Sequence, residues 1–349
     1  MRVRVVNSSR DFEAAGDQSV LDAALQASWN LPHSCRGGNC GLCKARLKRG
    51  EIDYPNGCPL GLSDAERESG LVLLCQAIAR TDLELDLQEV RSAHEHGTHR
   101  LPCRIERATR AAHDVMIVHV RPPPAVEFLF RAGQYLDILL SDDRRRSFSI
   151  ASPPHDARLL ELHVRRVAGG EWTQWLFGEG TAAGTLLSIE GPLGRFYYRE
   201  APLPSRPMLL VGGGTGIAPL LCILRHLVEN DIQRELILYW GVRGTHDLYA
   251  ESAILQLASR APSMSYVPVL SEPEPAWTGR SGLVHAAVLQ DRADLSAFDI
   301  YAAGPPAMIE ALRQDFAGHG AAMDRLYCDS FDYAFDALAH HRSSAATSS

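Results

Sequence analysis

Residues 207–224 read PMLLVGGGTGIAPLLCIL, 18 residues without a charge. A window of that length and apolarity raises the question of a membrane span. Gly212, Gly213, Gly214, Gly216 and Pro219 lie inside it, and so many glycines beside a proline deny it one continuous helix. A buried strand over 208–211, a glycine turn and a buried helix account for every residue. That succession opens a parallel α/β sheet, and no membrane is expected as a partner.

Working downstream, residues 206–335 alternate apolar runs (MLLV, LILYWG, YVPVL, DIYAAG) with helical stretches, which predicts an α/β parallel-sheet domain. Working upstream, residues 100–203 hold short strands between turn signals: DVMIVHV, QYLDILL, SFSIAS, LLELHVRRV and LLSIEG. That spacing predicts a small antiparallel β-barrel. Residues 92–99 (SAHEHGTH) have no periodicity and read as a linker. Residues 1–92 open with a strand over 2–6 and a second near 11–14. A helix follows, with Ser19 as its N-cap and Val20, Leu21, Ala24 and Leu25 on one face. The alternating run DLELDL at 82–87 closes the segment as a half-buried strand. Three domains, 1–92, 100–203 and 206–335, suit 349 residues that are 46% hydrophobic. The small polar residues 337–349 read as a disordered tail.

Charge narrows the function. Lys and Arg number 35 against 42 Asp and Glu, so no basic excess argues for nucleic acid or anionic lipid. The first residues, MRVRVVNSSR, lack the apolar core of a signal peptide, and a cytoplasmic location is expected.

Five of the eight cysteines fall between positions 35 and 75. In a reducing compartment such a group points to metal, not disulfides. Cys35, Cys40 and Cys43 give C-x4-C-x2-C, with Cys75 after a further 31 residues. That is the plant-type 2Fe-2S spacing, in which each iron takes two thiolates. A zinc site prefers C-x2-C pairs, and one such pair is present here. Gly37, Gly38 and Gly41 let the loop fold back around a cluster, and Arg36 adds a positive neighbour. Cys58 is the rival fourth ligand, but it stands before Pro59 in a turn, whereas Cys75 ends the apolar run 71–74. Cys103, Cys222 and Cys328 read as buried packing residues.

SCRGGNCGLC together with LLCQA resembles the chloroplast-type ferredoxin domain fused to bacterial NADH-dependent reductases of the ferredoxin–NADP reductase superfamily. The resemblance implies a β-grasp α+β fold for the first domain. It continues through the chain, over roughly residues 3–333. Arg146-Ser147-Phe148-Ser149 resembles the family's R-x-Y-[ST]. There the Arg meets the FAD diphosphate, the aromatic lies on the isoalloxazine and the hydroxyl reaches flavin N5; Phe148 stands where Tyr is usual. A guanidinium fork for a diphosphate and an aromatic platform for a flat ring make chemical sense unaided. His163-Val164-Arg165 and the G-x-x-[ST] of Gly170 and Thr173 match further flavin-site motifs. Gly214, Thr215, Gly216 and Pro219 resemble G-x-G-x-x-P. Gly304, Pro305 and Met308 resemble C-G-P-x-x-M, with Ala303 replacing the Cys. By the same resemblance Ser149 and Thr215 flank the hydride path, and Phe331, with Tyr333 as runner-up, covers the flavin face. Asp247 implies the free ribose of NADH, whereas Arg243 keeps NADPH open.

The implied activity is electron transfer from NADH through FAD and a 2Fe-2S cluster to an electron-acceptor protein. Flavin is needed because a hydride carries two electrons and the cluster takes one. Stretches such as ELHVRRVAGG and the terminal CDSF resemble reductases serving a sugar dehydrase. Reductase components of bacterial mono- or dioxygenases share the motifs, and a redox-sensing regulator is a third reading.

Overall fold

The computed structural model describes residues 1–6, 11–27, 29, 31, 33, 36–38, 41, 43–59, 61–62, 64–87, 98–141, 144–178, 182–200 and 206–331. The linker expected over 92–99 lies outside these residues except for Thr98 and His99, and the tail over 337–349 lies outside them entirely. Two compact units divide the chain, Met1–Thr98 and His99–Ser349.

The first unit contains β1 (Arg2–Val5), β2 (Asp11–Glu13), α1 (Val20–Gln26), β3 (Lys44–Arg49), β4 (Ile52–Asp53), α2 (Asp64–Glu68), β5 (Leu71–Leu73), β6 (Ile78–Ala79) and β7 (Leu83–Asp86). Five strands form one sheet in the order β2-β1-β7-β3-β5, while β4 and β6 pair separately. β1 and β7 are parallel neighbours and the other pairs of the large sheet are antiparallel. Val20, Leu21, Ala23 and Ala24 of α1 share a core with Val3, Val5, Leu83 and Leu85. A helix laid on a mixed sheet whose first and last strands pair at its centre is the β-grasp arrangement. Ser19 caps α1 as expected, its Oγ accepting the Asp22 N–H at 3.1 Å.

In the second unit an antiparallel sheet comprises β8 (His99–Ala112), β9 (Val115–Arg121), β10 (Tyr135–Leu139), β11 (Arg145–Ser149), β12 (Leu160–Arg165) and β13 (Leu186–Leu193). Its order is β11-β10-β13-β8-β9-β12, and a bridge between Ile150 and Leu162 joins the two edges, closing a barrel. The helix α3 (Glu171–Phe177) follows β12. The remaining elements are β14 (Met208–Gly213), α4 (Ile217–Glu229), β15 (Leu236–Val242), α5 (Glu251–Arg260), β16 (Met264–Leu270), β17 (Arg280–Ser281), α6 (Val284–Asp291), β18 (Asp299–Gly304), α7 (Pro306–Gly318) and β19 (Leu326–Ser330). Their strands form an all-parallel sheet in the order β17-β16-β15-β14-β18-β19. Every residue of β14 is buried, as a strand covered on both faces requires.

The strand order reverses between β14 and β18, and ligands of such sheets bind at that crevice. α4 sits on the side of β14 that meets the barrel. Its Leu220, Leu221, Ile223 and Leu224 belong to the same hydrophobic core as Leu136 and Ile150 of the barrel. Each such side chain contributes about 1.5–3 kcal/mol by leaving water. The Cys222 thiol donates to the Ser152 carbonyl at 3.0 Å, and Arg225 donates to the Ala151 carbonyl at 2.9 Å.

A buried polar chain crosses the same seam. Glu161 accepts from Arg225 at 2.9 Å and lies 2.9 Å from His163 Nε2 and 3.3 Å from His119 Nε2. Because a carboxylate only accepts, His163 carries its proton on Nε2, and Nδ1 faces the Tyr249 hydroxyl at 3.0 Å. Burial alone would raise the Glu161 carboxyl, but hydrogen bonds from His119 and His163 and the Arg225 charge outweigh it and hold the group far below the usual carboxylate range. A depressed folded pKa means the stabilisation is complete above about pH 5 and is lost as the pH falls toward the folded value. Glu161→Gln should therefore lower the thermal midpoint at pH 7, by about 3 kcal/mol of stability for an ion cluster that loses its anion. The gap to the wild type should narrow as a calorimetric series descends below about pH 4. A gap independent of pH would show that Glu161 acts by packing alone.

Candidate functional site

The cysteine loop comes first. Cys43 and Cys75 are buried, and the Cys75 N–H donates to Cys43 Sγ at 3.4 Å. Two buried thiols brought together, one of them accepting a backbone N–H, form a donor set that fits a cluster. Cys35 and Cys40 lie outside the described residues. Cys58 is exposed, with its thiol toward the Leu62 carbonyl at 3.9 Å. The loop bends where the sequence placed flexibility: Gly38 and Gly41 have φ of 88° and 70°. Arg36 is also left-handed, at φ 53°, and its guanidinium pairs with Asp22. Cys103, Cys222 and Cys328 are buried far from this loop in sequence, and burial pushes each thiol up to about 12.

In the barrel, Ser149 ends β11 and is buried, yet its Oγ has no hydrogen-bond partner among the described residues. A buried hydroxyl left unpaired costs about 1–3 kcal/mol, so the site fits a ligand that supplies the missing bond, as flavin N5 would. Phe148, one residue earlier, is half-buried and lies 5.0 Å from the Trp172 ring at 39°. Arg146 donates to the Arg145 carbonyl at 2.8 Å.

Three other expected flavin residues have their side chains occupied within the protein. Both ring nitrogens of His163 serve the Glu161–Tyr249 chain. Val164 is wholly buried in the barrel core. Thr173 Oγ1 donates to the Gly170 carbonyl at 2.9 Å and accepts from the Val167 N–H at 3.2 Å, fixing the turn into α3. These side chains shape the barrel wall and hold its turn.

The crevice at the reversal of strand order is lined by glycines for steric reasons. A Cβ on Gly216 would collide with the Ala303 carbonyl. Gly213 and Gly304 lie against Met308, whose sulfur sits where their side chains would be. Gly214 is left-handed at φ 54°, the Trp240 indole N–H donates to its carbonyl at 2.9 Å, and Arg165 from the barrel lies over its Cα. Thr215 follows it, half-buried. Pro219 falls in the first turn of α4, where a missing N–H leaves no bond unmade. Pro305 caps α7. The Phe331 N–H donates to the Gly304 carbonyl at 3.0 Å, and its half-buried ring packs against the shared core. A glycine cradle at the carboxyl ends of parallel strands fits a dinucleotide diphosphate.

Sequence reasoning did not foresee the charge network beside this cradle. Arg165 Nε donates to Asp114 at 3.1 Å, and Arg243 donates to the same carboxylate at 3.1 Å. Arg243 also grips Asp247 through Nε at 2.8 Å and a terminal nitrogen at 3.2 Å. Asp247 is only 2% exposed, and burial would raise its carboxyl, but Arg243 lowers it below the ordinary value. The sequence expected Asp247 on a ribose hydroxyl; the structure places both of its oxygens on Arg243. No local motif announces Asp114, because it reaches the network only through the β8–β9 turn.

Comparison with known proteins agrees domain by domain. Residues 3–80 match the model of the 2Fe-2S iron-sulfur cluster binding domain. Residues 102–198 match the oxidoreductase FAD-binding domain, and 210–314 the oxidoreductase NAD-binding domain. The CDP-6-deoxy-L-threo-D-glycero-4-hexulose-3-dehydrase reductase of Yersinia pseudotuberculosis is 37% identical over 95% of this chain and 98% of its own. The reductase subunit of an aromatic O-demethylase from Amycolatopsis is 36% identical over 95% of this chain and 99% of its own. Among solved structures, an Amycolatopsis cytochrome P450 reductase superposes with a TM-score of 0.80 at 34% identity, covering 95% of this chain and 98% of that one.

Proposed function

We propose a specific role for this chain on the premise that it belongs to the family of iron–sulfur flavoprotein reductases, which join a 2Fe-2S, an FAD-binding and an NAD-binding domain. It is an oxidoreductase that passes electrons from NADH to an acceptor protein. The proposed acceptor is a deoxysugar dehydrase, which makes this chain a reductase of the CDP-6-deoxy-Δ3,4-glucoseen type. The observation that carries this reading is the near full-length likeness to the Yersinia dehydrase reductase. The likeness to the O-demethylase subunit favours an oxygenase component as the second reading. The proposed compartment is the cytoplasm, whose reducing conditions keep cysteine thiols available as metal ligands.

Bound FAD supplies the conversion of a two-electron hydride into single electrons that a 2Fe-2S cluster can carry. This chain's residues provide the setting. In this proposal Cys35, Cys40, Cys43 and Cys75 ligate the cluster within residues 1–92. Arg146 faces the flavin diphosphate, Phe148 lies along the ring, and Ser149 donates its free hydroxyl at N5, within 100–203. Gly214, Thr215, Gly216 and Gly304 seat the nicotinamide nucleotide, within 206–335. The deciding experiment supplies NADH and the holoprotein to a pyridoxamine-phosphate sugar dehydrase and, separately, to an oxygenase component. Turnover of the dehydrase above the cytochrome c background supports the reading, and turnover of the oxygenase alone overturns it.

Phe331 is proposed as the cover of the flavin face. Its main chain is anchored on Gly304 while its ring keeps partial exposure, a geometry suited to displacement by nicotinamide. Phe331→Ala should raise the oxygen reactivity of reduced FAD and change KM for NADH while the thermal midpoint holds. A midpoint several degrees lower with oxidase activity and KM unchanged would make the ring a packing residue. Tyr333, the alternative, lies outside the described residues.

A further inference from the structure

We propose that His113, His246 and Asp247 form a binding site for one divalent transition-metal ion of the zinc type, pinning the β8–β9 turn of the barrel to the turn that follows β15. The three side chains come from two distant stretches of sequence, yet their ligand atoms all lie within 4.8 Å of one another. Asp247 Oδ1 stands 3.6 Å from His113 Nδ1 and 3.6 Å from His246 Nε2. Tetrahedral bonds of about 2.0–2.1 Å separate ligand atoms by about 3.3 Å. The two pairs that share Asp247 Oδ1 are within a few tenths of an ångström of that at 3.6 Å, and the two exposed imidazoles, no more than 4.8 Å apart, need a small ring rotation to close the third side.

The surroundings are those of a supported site. Asp247 is buried, and Arg243 orients it, donating to Oδ2 at 2.8 Å and more weakly to the ligating Oδ1 at 3.2 Å, while the same guanidinium lies 3.4 Å from His113 Nε2, the ring nitrogen turned away from the site. The imidazoles are more than half exposed, 54% and 63%, which leaves an entry path and room for a water as fourth ligand. Asp114, Asp247 and Glu274 stand in this cluster against Arg165 and Arg243, so three carboxylates face two guanidiniums and the neutral-imidazole site carries one net negative charge. Two imidazoles with one carboxylate suit Zn²⁺ and its late first-row neighbours over Mg²⁺ or Ca²⁺. The inference rests on this geometry and is independent of the electron acceptor.

The test is a calorimetric titration of the cluster-loaded, FAD-loaded protein with Zn²⁺. The wild type should take up roughly one equivalent, released by EDTA, with affinity falling about tenfold or more in His113→Asn and in His246→Asn. Zinc-edge X-ray absorption of the wild type should show nitrogen and oxygen neighbours without sulfur. A variant that binds Zn²⁺ as tightly as the wild type overturns the proposal. So does a sulfur shell, which would place the metal on cysteines.

Discussion

Cys75→Ser should yield a protein that keeps its FAD, is still bleached by NADH, and has lost its iron and nearly all cytochrome c reduction. Cys58→Ser should keep both. The contrast follows from placement: Cys75 is buried with its N–H on the Cys43 sulfur, whereas Cys58 is exposed. A thiolate ligand cannot be replaced by a hydroxyl without losing most of the metal–ligand energy. Cys40→Ser should match Cys75→Ser, as the spacing requires. FAD retention follows because the cysteine loop and the flavin residues belong to separate compact units. Iron analysis and flavin absorbance on one preparation decide the matter. If Cys75→Ser loses flavin with iron, the units depend on each other for folding; if Cys58→Ser loses iron, the ligand assignment is wrong.

The second large effect concerns coenzyme choice. Asp247→Asn should raise kcat/KM for NADPH relative to NADH by about tenfold or more. In the wild type Asp247 neutralises Arg243 through two hydrogen bonds, so the guanidinium is already answered. Removing the negative charge leaves Arg243 answered by Asp114 alone, so that it can turn to a 2′-phosphate, and removes the repulsion of that phosphate, an effect of roughly one to a few kcal/mol. EDTA belongs in the assay, since the same carboxylate is a proposed metal ligand. An unchanged ratio would mean that neither residue faces the ribose, and a wild type already indifferent to the phosphate would make Arg243 a phosphate ligand as it stands.

How much of this was legible in sequence depended on whether the signal was local. The run at 207–224 announced strand, turn and helix because charge-free residues and glycines leave few alternatives, and β14 and α4 follow that order. The thiol spacing announced the cluster for the same reason. β8 was missed: Leu101, Cys103 and Ile105 alternate as a strand should, but Pro102 and the flanking arginines hide the period, and pairing with β9 and β13 sustains it. β3 was missed because KARLKR carries four basic residues; it holds its place by bonding to β5 and β7 on either side. The motifs singled out Ser149, whose buried Oγ has no partner among the described residues, and the sterically required glycines of the cradle. They said nothing of Asp114, whose arginine partners are many residues away, or of Glu161, which joins the adjacent His163 to the remote Arg225 and His119 and matters only when charge is buried.

The core that runs from the barrel into α4 has an evolutionary corollary. Among the described residues, the apolar cluster holding Ile105, Leu136 and Leu220 contains nothing before residue 101, and the cluster around α1 contains nothing after residue 87. A recombination event that exchanges the N-terminal module divides neither of these two clusters. One that falls between barrel and parallel sheet strips α4 of its cover and exposes a row of leucines. Gene fusion and domain shuffling are therefore favoured at the boundary between the two compact units over the boundary inside the second. Over evolutionary time its flavin and nicotinamide halves should travel as an indivisible cassette, while the cluster-bearing module is free to be traded for another electron carrier.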